Sequence, residues 1–272
     1  MKEQVIITSK KTFFNSLAEV FYYKNLFFNL AKRDFLIRYK QTALGLSWVI
    51  LRPIITMAIF TFLFGRVVGL PSNGLPYPLL VLSGIIPWQF FSDSFIFGSN
   101  SFLANTNLIT KVYFPRIIIP SSILLCSIID FLILLFFLII LSIFWYGVFF
   151  TWGVLFLPLI LIWLIIFSFS ASILFSSLVV RYRDFKHVVP FVIQLGMYIS
   201  PVGFSSSIFS KKWLIILSLN PLVGIINFFR WSVFGLTMCW PGFFISLGMT
   251  ILFFFVSVLI FKKMEIYFAD II

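Results

Sequence analysis

Apolar runs alternate with short polar breaks along almost the whole chain. The runs cover residues 46–68, 77–100, 117–145, 153–180, 187–200 and 241–261. Most reach the roughly 20 residues that an α-helix needs to cross a bilayer. The run at 187–200 is the shortest and stops at Pro201. Lipid offers no partner to a bare peptide group, so such runs are expected as helices. The predicted class is all-α: a polytopic membrane protein with six transmembrane helices in a single domain, 1–272. The breaks differ in character. GLPSNGLPYP, after the first run, is turn-rich; residues 105–116 are polar; residues 146–152 are uncharged; RYRDFK at 181–186 is basic. Residues 201–240, broken by Pro221 and several glycines and serines, are expected as an external segment that is re-entrant or interfacial, with a surface loop as the other reading. Residues 1–16 form a polar, basic tail. Residues 17–41 have a helical pattern with Leu26, Leu30 and Ile37 on one face and Asn25, Asn29, Lys32, Arg33 and Lys40 on the other. Such a helix suits the membrane interface; an ordinary cytoplasmic helix is the other reading.

Composition agrees with lipid as the solvent. The 272 residues are 61% hydrophobic and 21% aromatic, and only 10% are charged, against about 25% in soluble domains. The net charge of +12 would suit nucleic acid, but its distribution follows the positive-inside bias. Lys111, Arg116, Arg181, Arg183, Lys186, Lys262 and Lys263 fall on the side shared by both termini, which are expected in the cytoplasm. The opposite breaks hold Arg66, Lys211, Lys212 and Arg230. No secretory signal is expected, because the first long apolar run starts late and lacks a small-residue cleavage site. Cys126 and Cys239 sit in apolar surroundings, which argues against a disulfide framework.

Catalytic chemistry is scarce. One histidine, His187, stands at the edge of a run, so a histidine-dependent metal or protease centre is not expected. Asp93 and Asp130 are isolated within apolar runs. The chain contains no Gly-Lys dipeptide and hence no phosphate-binding loop of the Gly-Lys-Ser/Thr type. Leu82-Ser83-Gly84 matches the start of an ATPase signature, but Ile85-Ile86-Pro87 ends the match. The chain is therefore expected to bind no cofactor, and any energy from ATP must come from another chain. No internal repeat supports an inverted-repeat transporter.

Six stretches carry a resemblance: KRDFLIRYKQTALGLSWVILRPIITMAIFTFLFG (32–65), YPLLVLSGIIPWQFFSDS (77–94), NTNLITKVYFPRIIIP (105–120), RYRDFKHVVPFVIQLGMYISPVGF (181–204), LNPLVGIINFFRWSVFG (219–235) and MEIYFADII (264–272). Together they resemble the membrane permease subunit of ABC-type polysaccharide exporters of the O-antigen and teichoic acid export families. One departure is Ile117 after Arg116, where relatives often carry an acid. The resemblance implies a homodimer of six-helix subunits in the bacterial inner membrane. It implies two copies of a separate ABC ATPase, which would hold ATP and magnesium. The implied substrate is an undecaprenyl-diphosphate-linked polysaccharide, O-antigen ahead of teichoic acid. A membrane-embedded glycan transferase and a non-catalytic scaffold are the competing readings.

Candidate residues follow. Residues 105–116 are expected to dock on the ATPase through Lys111, Tyr113, Phe114, Pro115 and Arg116, with the aromatics as anchors; a plain membrane loop is the alternative. Arg33, Arg38, Tyr39 and Lys40 could guide a pyrophosphate headgroup, since guanidinium groups bind phosphate oxygens bidentately; simple positive-inside anchoring competes. Asn220, Pro221, Arg230 and Trp231 match the family's external gate. Phe60, Phe64, Trp88, Phe91 and Tyr198 are candidate pore-lining aromatics. Finally, Arg52 and Asp93 lie about 9 and 10 Å from the same end of adjacent runs at ~1.5 Å per residue. A contact between them, direct or through water, would relieve two charges that each cost ~2.5–3.5 kcal/mol in the bilayer core; the other reading is that Arg52 snorkels to the inner headgroups and Asp93 faces a wet pore.

Overall fold

A computed structural model of the chain describes residues 22–40, 42–265 and 268. The N-terminal tail at 1–16, residues 17–21 and 41 of the expected interfacial helix, and most of 266–272 lie outside the described residues. The described residues form helices and connecting turns, without strands. Helix α1 is Lys24–Tyr39. Helix α2, Ser47–Phe60, continues as a wider π-helical stretch, Thr61–Val67. Helix α3 is Tyr77–Ser99, followed by two short helices, α4 (Ser101–Ala104) and α5 (Thr106–Lys111). Helix α6, Ile118–Ile140, widens at Leu141–Trp145. Helix α7 is Leu157–Arg181, α8 Phe185–Ile199, α9 Lys211–Leu217, α10 Pro221–Phe234 and α11 Trp240–Glu265.

Five helical stretches are long and apolar enough to cross a membrane. The α9–α10 pair, bent by 116°, makes a sixth if taken as one broken span; the same bend describes a re-entrant hairpin. Helix α8 has 15 residues, about 22 Å at ~1.5 Å per residue, short of the ~30 Å hydrocarbon core.

Helix α3 is the centre of the bundle. It packs against α7 and α6 on two sides, with α10, α2 and α8 around the rest. Most of its residues are buried, and its polar side is confined to Gln89 and Asp93, which pair with each other. Close approach depends on small residues, as is usual where the surrounding lipid supplies no hydrophobic drive. A Cβ added at Gly98 would lie 2.3 Å from Ser172 Oγ of α7, and one at Gly224 would lie 2.3 Å from Ser246 Cβ of α11. Hydroxyls close the remaining seams. Ser172 donates to the Ser94 carbonyl at 3.0 Å, and Trp163 Nε1 donates to Thr250 Oγ1 at 2.7 Å. Helix α2 is the opposite case: within Ser47–Phe60 only Val49 and Pro53 are buried.

Helix α1 leans along α6. Its packed stripe is Phe27, Leu30, Ala31 and Arg38, with Ala31 receiving a weak hydrogen bond from Cys126 Sγ at 3.4 Å. Ile37, expected on the apolar face with Leu30, points outward instead. The apolar and polar residues of this helix are too mixed to set its rotation; the partner surface of α6 sets it.

Candidate functional site

Three places bring the candidate residues together. The first lies where α1, α3 and α6 meet. Arg38 Nη1 donates to Asp130 Oδ2 at 2.8 Å, and Tyr39 OH donates to Asp130 Oδ1 at 2.7 Å. The Arg38 guanidinium also lies 4.1 Å from the centroid of the Phe97 ring, a cation–π contact strengthened by exclusion of water. Asp130 lies about 18 Å along α6 from Ile118 at ~1.5 Å per residue, deep in an apolar helix. It is not isolated, as the sequence suggested. A carboxylate at that depth demands a partner; the signal was there, but its partner is 92 residues away.

Arg38 feels two carboxylates. Burial works against its charge, but Asp93 and Asp130 outweigh burial and hold its pKa above the ordinary arginine value. Burial, reinforced by the hydrogen bond to Asp130, raises the Tyr39 phenol as well, so it stays protonated and able to donate.

The expected direct pair of Arg52 with Asp93 is not formed. No ion pair joins them; Asp93 accepts from Gln89 Nε2 at 2.8 Å, and Arg52 lies 5.8 Å over the Trp48 ring. The charge of Arg52 still acts on Asp93. Equal depth does not imply facing side chains, and Gln89, one helical turn from Asp93, reaches it more easily. Arg33 is taken by its neighbour Asp34 at 2.6 Å on the exposed side, while Lys40 is free at the surface. Asn29, Lys32, Arg33, Leu36, Ile37 and Lys40 line a shallow groove there.

The second place is the segment after α5. Tyr113 is 54% exposed, but Phe114 is 5% exposed. Phe114 belongs to the chain's own core, which corrects its expected role as an anchor for a partner. Successive residues in extended chain point to opposite sides, so only one of the pair can face outward. Lys111 is exposed and Pro115 half-buried. Arg116 donates through Nη1 to the Glu265 carbonyl and lies 5.5 Å from the Phe268 ring centroid. It ties this segment to the end of α11.

The third place is the opposite end of the bundle, around the turn after α8. Arg230, 3% exposed, has no carboxylate partner among the described residues. It donates instead to the Leu80 and Val202 carbonyls through Nη2, to the Phe204 carbonyl through Nη1 and to Ser83 Oγ through Nε. Tyr77 OH adds a 2.8 Å bond to the Gly203 carbonyl. Asn73 bridges the preceding loop to the same turn, donating to Ser205 Oγ and accepting from Ser207 Oγ. Asn220 caps α10, accepting from Leu222 N at 3.1 Å, with Pro221 in the first turn where its missing N–H costs nothing. Trp231 stacks on Phe228, with centroids 5.5 Å apart. The sequence marked Arg230 and missed its acceptors, because backbone carbonyls carry no residue-type signal.

The aromatic candidates divide by burial. Trp88 and Phe91 are 4% and 6% exposed. Trp88 lies under Gly196 of α8, and Phe91 stacks on Phe167 with centroids 5.0 Å apart. They are internal packing of one subunit, so neither lines a channel in this conformation; the largely apolar α3 gave no indication of which side faced inward. Phe60 and Phe64 meet edge to face at 5.4 Å beside Gly203, and Tyr198 is 64% exposed on α8.

No His/Cys/Asp/Glu cluster that could hold a metal occurs among the described residues. The signature of the ABC-2 type transporter family matches residues 25–234. The chain belongs to the ABC-2 type transporter family. It is a polytopic membrane transport protein. Its relatives within the family are polysaccharide transport proteins by name. The chain is 31% identical over 249 residues to an O-antigen export system permease protein RfbA of Klebsiella pneumoniae, with 89% of this chain and 93% of that protein covered. It is 27% identical over 214 residues to the protein of the same name from Myxococcus xanthus, covering 78% and 81%. It is 25% identical over 203 residues to the polysialic acid transport protein KpsM of Escherichia coli, covering 74% and 78%.

Proposed function

We propose that the chain is the permease subunit of an ATP-driven exporter that moves an undecaprenyl-diphosphate-linked polysaccharide, O-antigen in the first place, across the bacterial inner membrane. The carrying observation is the end-to-end similarity to O-antigen export permeases. In this reading both termini are cytoplasmic, and the loops holding Asn73 and Ser205 face outward. A second copy of the chain completes the channel. The nearly unburied α2 and exposed Tyr198 of α8 suit such a pairing. A separate ATPase, carrying ATP and magnesium, docks at residues 105–116, with exposed Tyr113 as the contact. Arg33, Arg38, Tyr39 and Lys40 meet the lipid pyrophosphate. Arg230, Asn220, Pro221 and Trp231 shape the outer gate, where Phe60 and Phe64 pack on the turn at Gly203.

The test is deletion and complementation. Cells without the chain should keep lipid-linked polymer at the inner face and display none outside. The full chain, together with an active ATPase, should restore display. Normal surface polymer in the deletion strain would refute the export reading.

A further inference from the structure

The Arg38–Asp130 pair has a feature that anchoring alone does not require. Two donors from consecutive residues, Arg38 Nη1 and Tyr39 OH, each take one oxygen of the same carboxylate, at 2.8 and 2.7 Å. A guanidinium and a phenol held this way present the same donors to two oxygens of a phosphate. Asp130 is itself 4% exposed, and a buried ion pair is seldom more stable than apolar packing of the same volume. Stability therefore does not account for it. On the exposed side of α1, Arg33 pairs with its neighbour Asp34 at 2.6 Å, with both donors on a single oxygen. Both arginines of this helix are neutralised by the chain's own carboxylates.

We infer that Asp130 is a stand-in for phosphate: it occupies Arg38 and Tyr39 while no substrate is bound and yields to the diphosphate of the lipid-linked substrate. The inference rests on the export reading and adds a selectivity device to it. A bilayer phospholipid brings a single phosphodiester charge, no more than Asp130 already supplies. A polymer-bearing lipid diphosphate brings two. Only the second ligand offers Arg38 more charge than its direct ion-pair partner Asp130 does. Asp130 thereby keeps bulk anionic lipid out of the site, discriminating by opposing the wrong ligand rather than by favouring the right one. Exchange at Arg38 detaches the last turn of α1 from α6.

The experiment uses the full chain in phosphatidylcholine nanodiscs, with undecaprenyl diphosphate, phosphatidylglycerol and inorganic diphosphate as probes. Asp130→Asn keeps the shape and removes the competing charge. It should bind undecaprenyl diphosphate about tenfold more tightly, the equivalent of one charged hydrogen bond no longer given up. It should also gain competition by phosphatidylglycerol that the unsubstituted chain resists. Arg38→Gln should lose the tight binding. In the unsubstituted chain, undecaprenyl diphosphate should raise amide exchange across α1, a readout that does not depend on any variant folding. Affinity unchanged or weaker in folded Asp130→Asn, or α1 exchange unmoved by the lipid, overturns the inference. Inorganic diphosphate acting as well as the lipid would overturn the lipid as the source. Surface polymer is scored in parallel: its loss on deletion supports export whatever the affinities, so equal affinities with export intact refute the stand-in role alone.

Discussion

Arg230→Met is the substitution that asks most of the outer-end geometry. The guanidinium serves four acceptors, and two of them, the Val202 and Phe204 carbonyls, lie in irregular chain with no other hydrogen-bond partner among the described residues. Methionine fills similar space and offers no donor. Two carbonyls left buried and unsatisfied at about 1–3 kcal/mol each amount to roughly 2–6 kcal/mol. Relief from burying a lone guanidinium offsets part of this, so the expected loss is about 2–4 kcal/mol. Arg230→Lys keeps the charge but reaches fewer acceptors, and should fall between. The assay is equilibrium unfolding in detergent micelles together with amide exchange. Protection should drop first between residues 202 and 207, where Tyr77, Asn73 and Arg230 converge. A methionine variant as stable as the unsubstituted chain, with exchange unchanged in that turn, would refute the argument that Arg230 holds it.

Other outcomes follow from burial. Tyr113→Ala should lower ATP-dependent export and weaken co-purification of the ATPase with little change in stability, whereas Phe114→Ala should destabilise the chain by about 3–5 kcal/mol, as buried phenylalanine truncations do. Thermal unfolding beside an export assay separates the two. Gly98→Val should force α3 from α7, because the first added carbon already collides with Ser172; loss of folded protein on size-exclusion is the readout, and Ser172→Gly, which removes both colliding atoms, should rescue part of it. Cysteine at position 198 should react with a water-soluble maleimide, while cysteine at 88 or 91 should not; labelling at 88 would mean that α3 turns in the working cycle.

The class of this protein was legible in the residues because lipid leaves a backbone few options. Runs of about 20 apolar residues must satisfy their own peptide groups, so helices and the membrane follow from the pattern. The basic breaks and six motif stretches carried the family. What the residues could not supply was rotation. Large apolar residues surround most of helix α3, so nothing in 77–99 singles out Trp88 and Phe91 as turning into the subunit. Tyr113 and Phe114 are chemically alike and adjacent; packing alone decides that one is core and the other surface. The same limit applies to Arg52 and Asp93, which make no direct ion pair. Depth can be counted along a helix, but which side chains face each other depends on azimuth. That quantity is set by contacts among α1, α3 and α6, where Arg38, rather than Arg52, reaches the buried carboxylate.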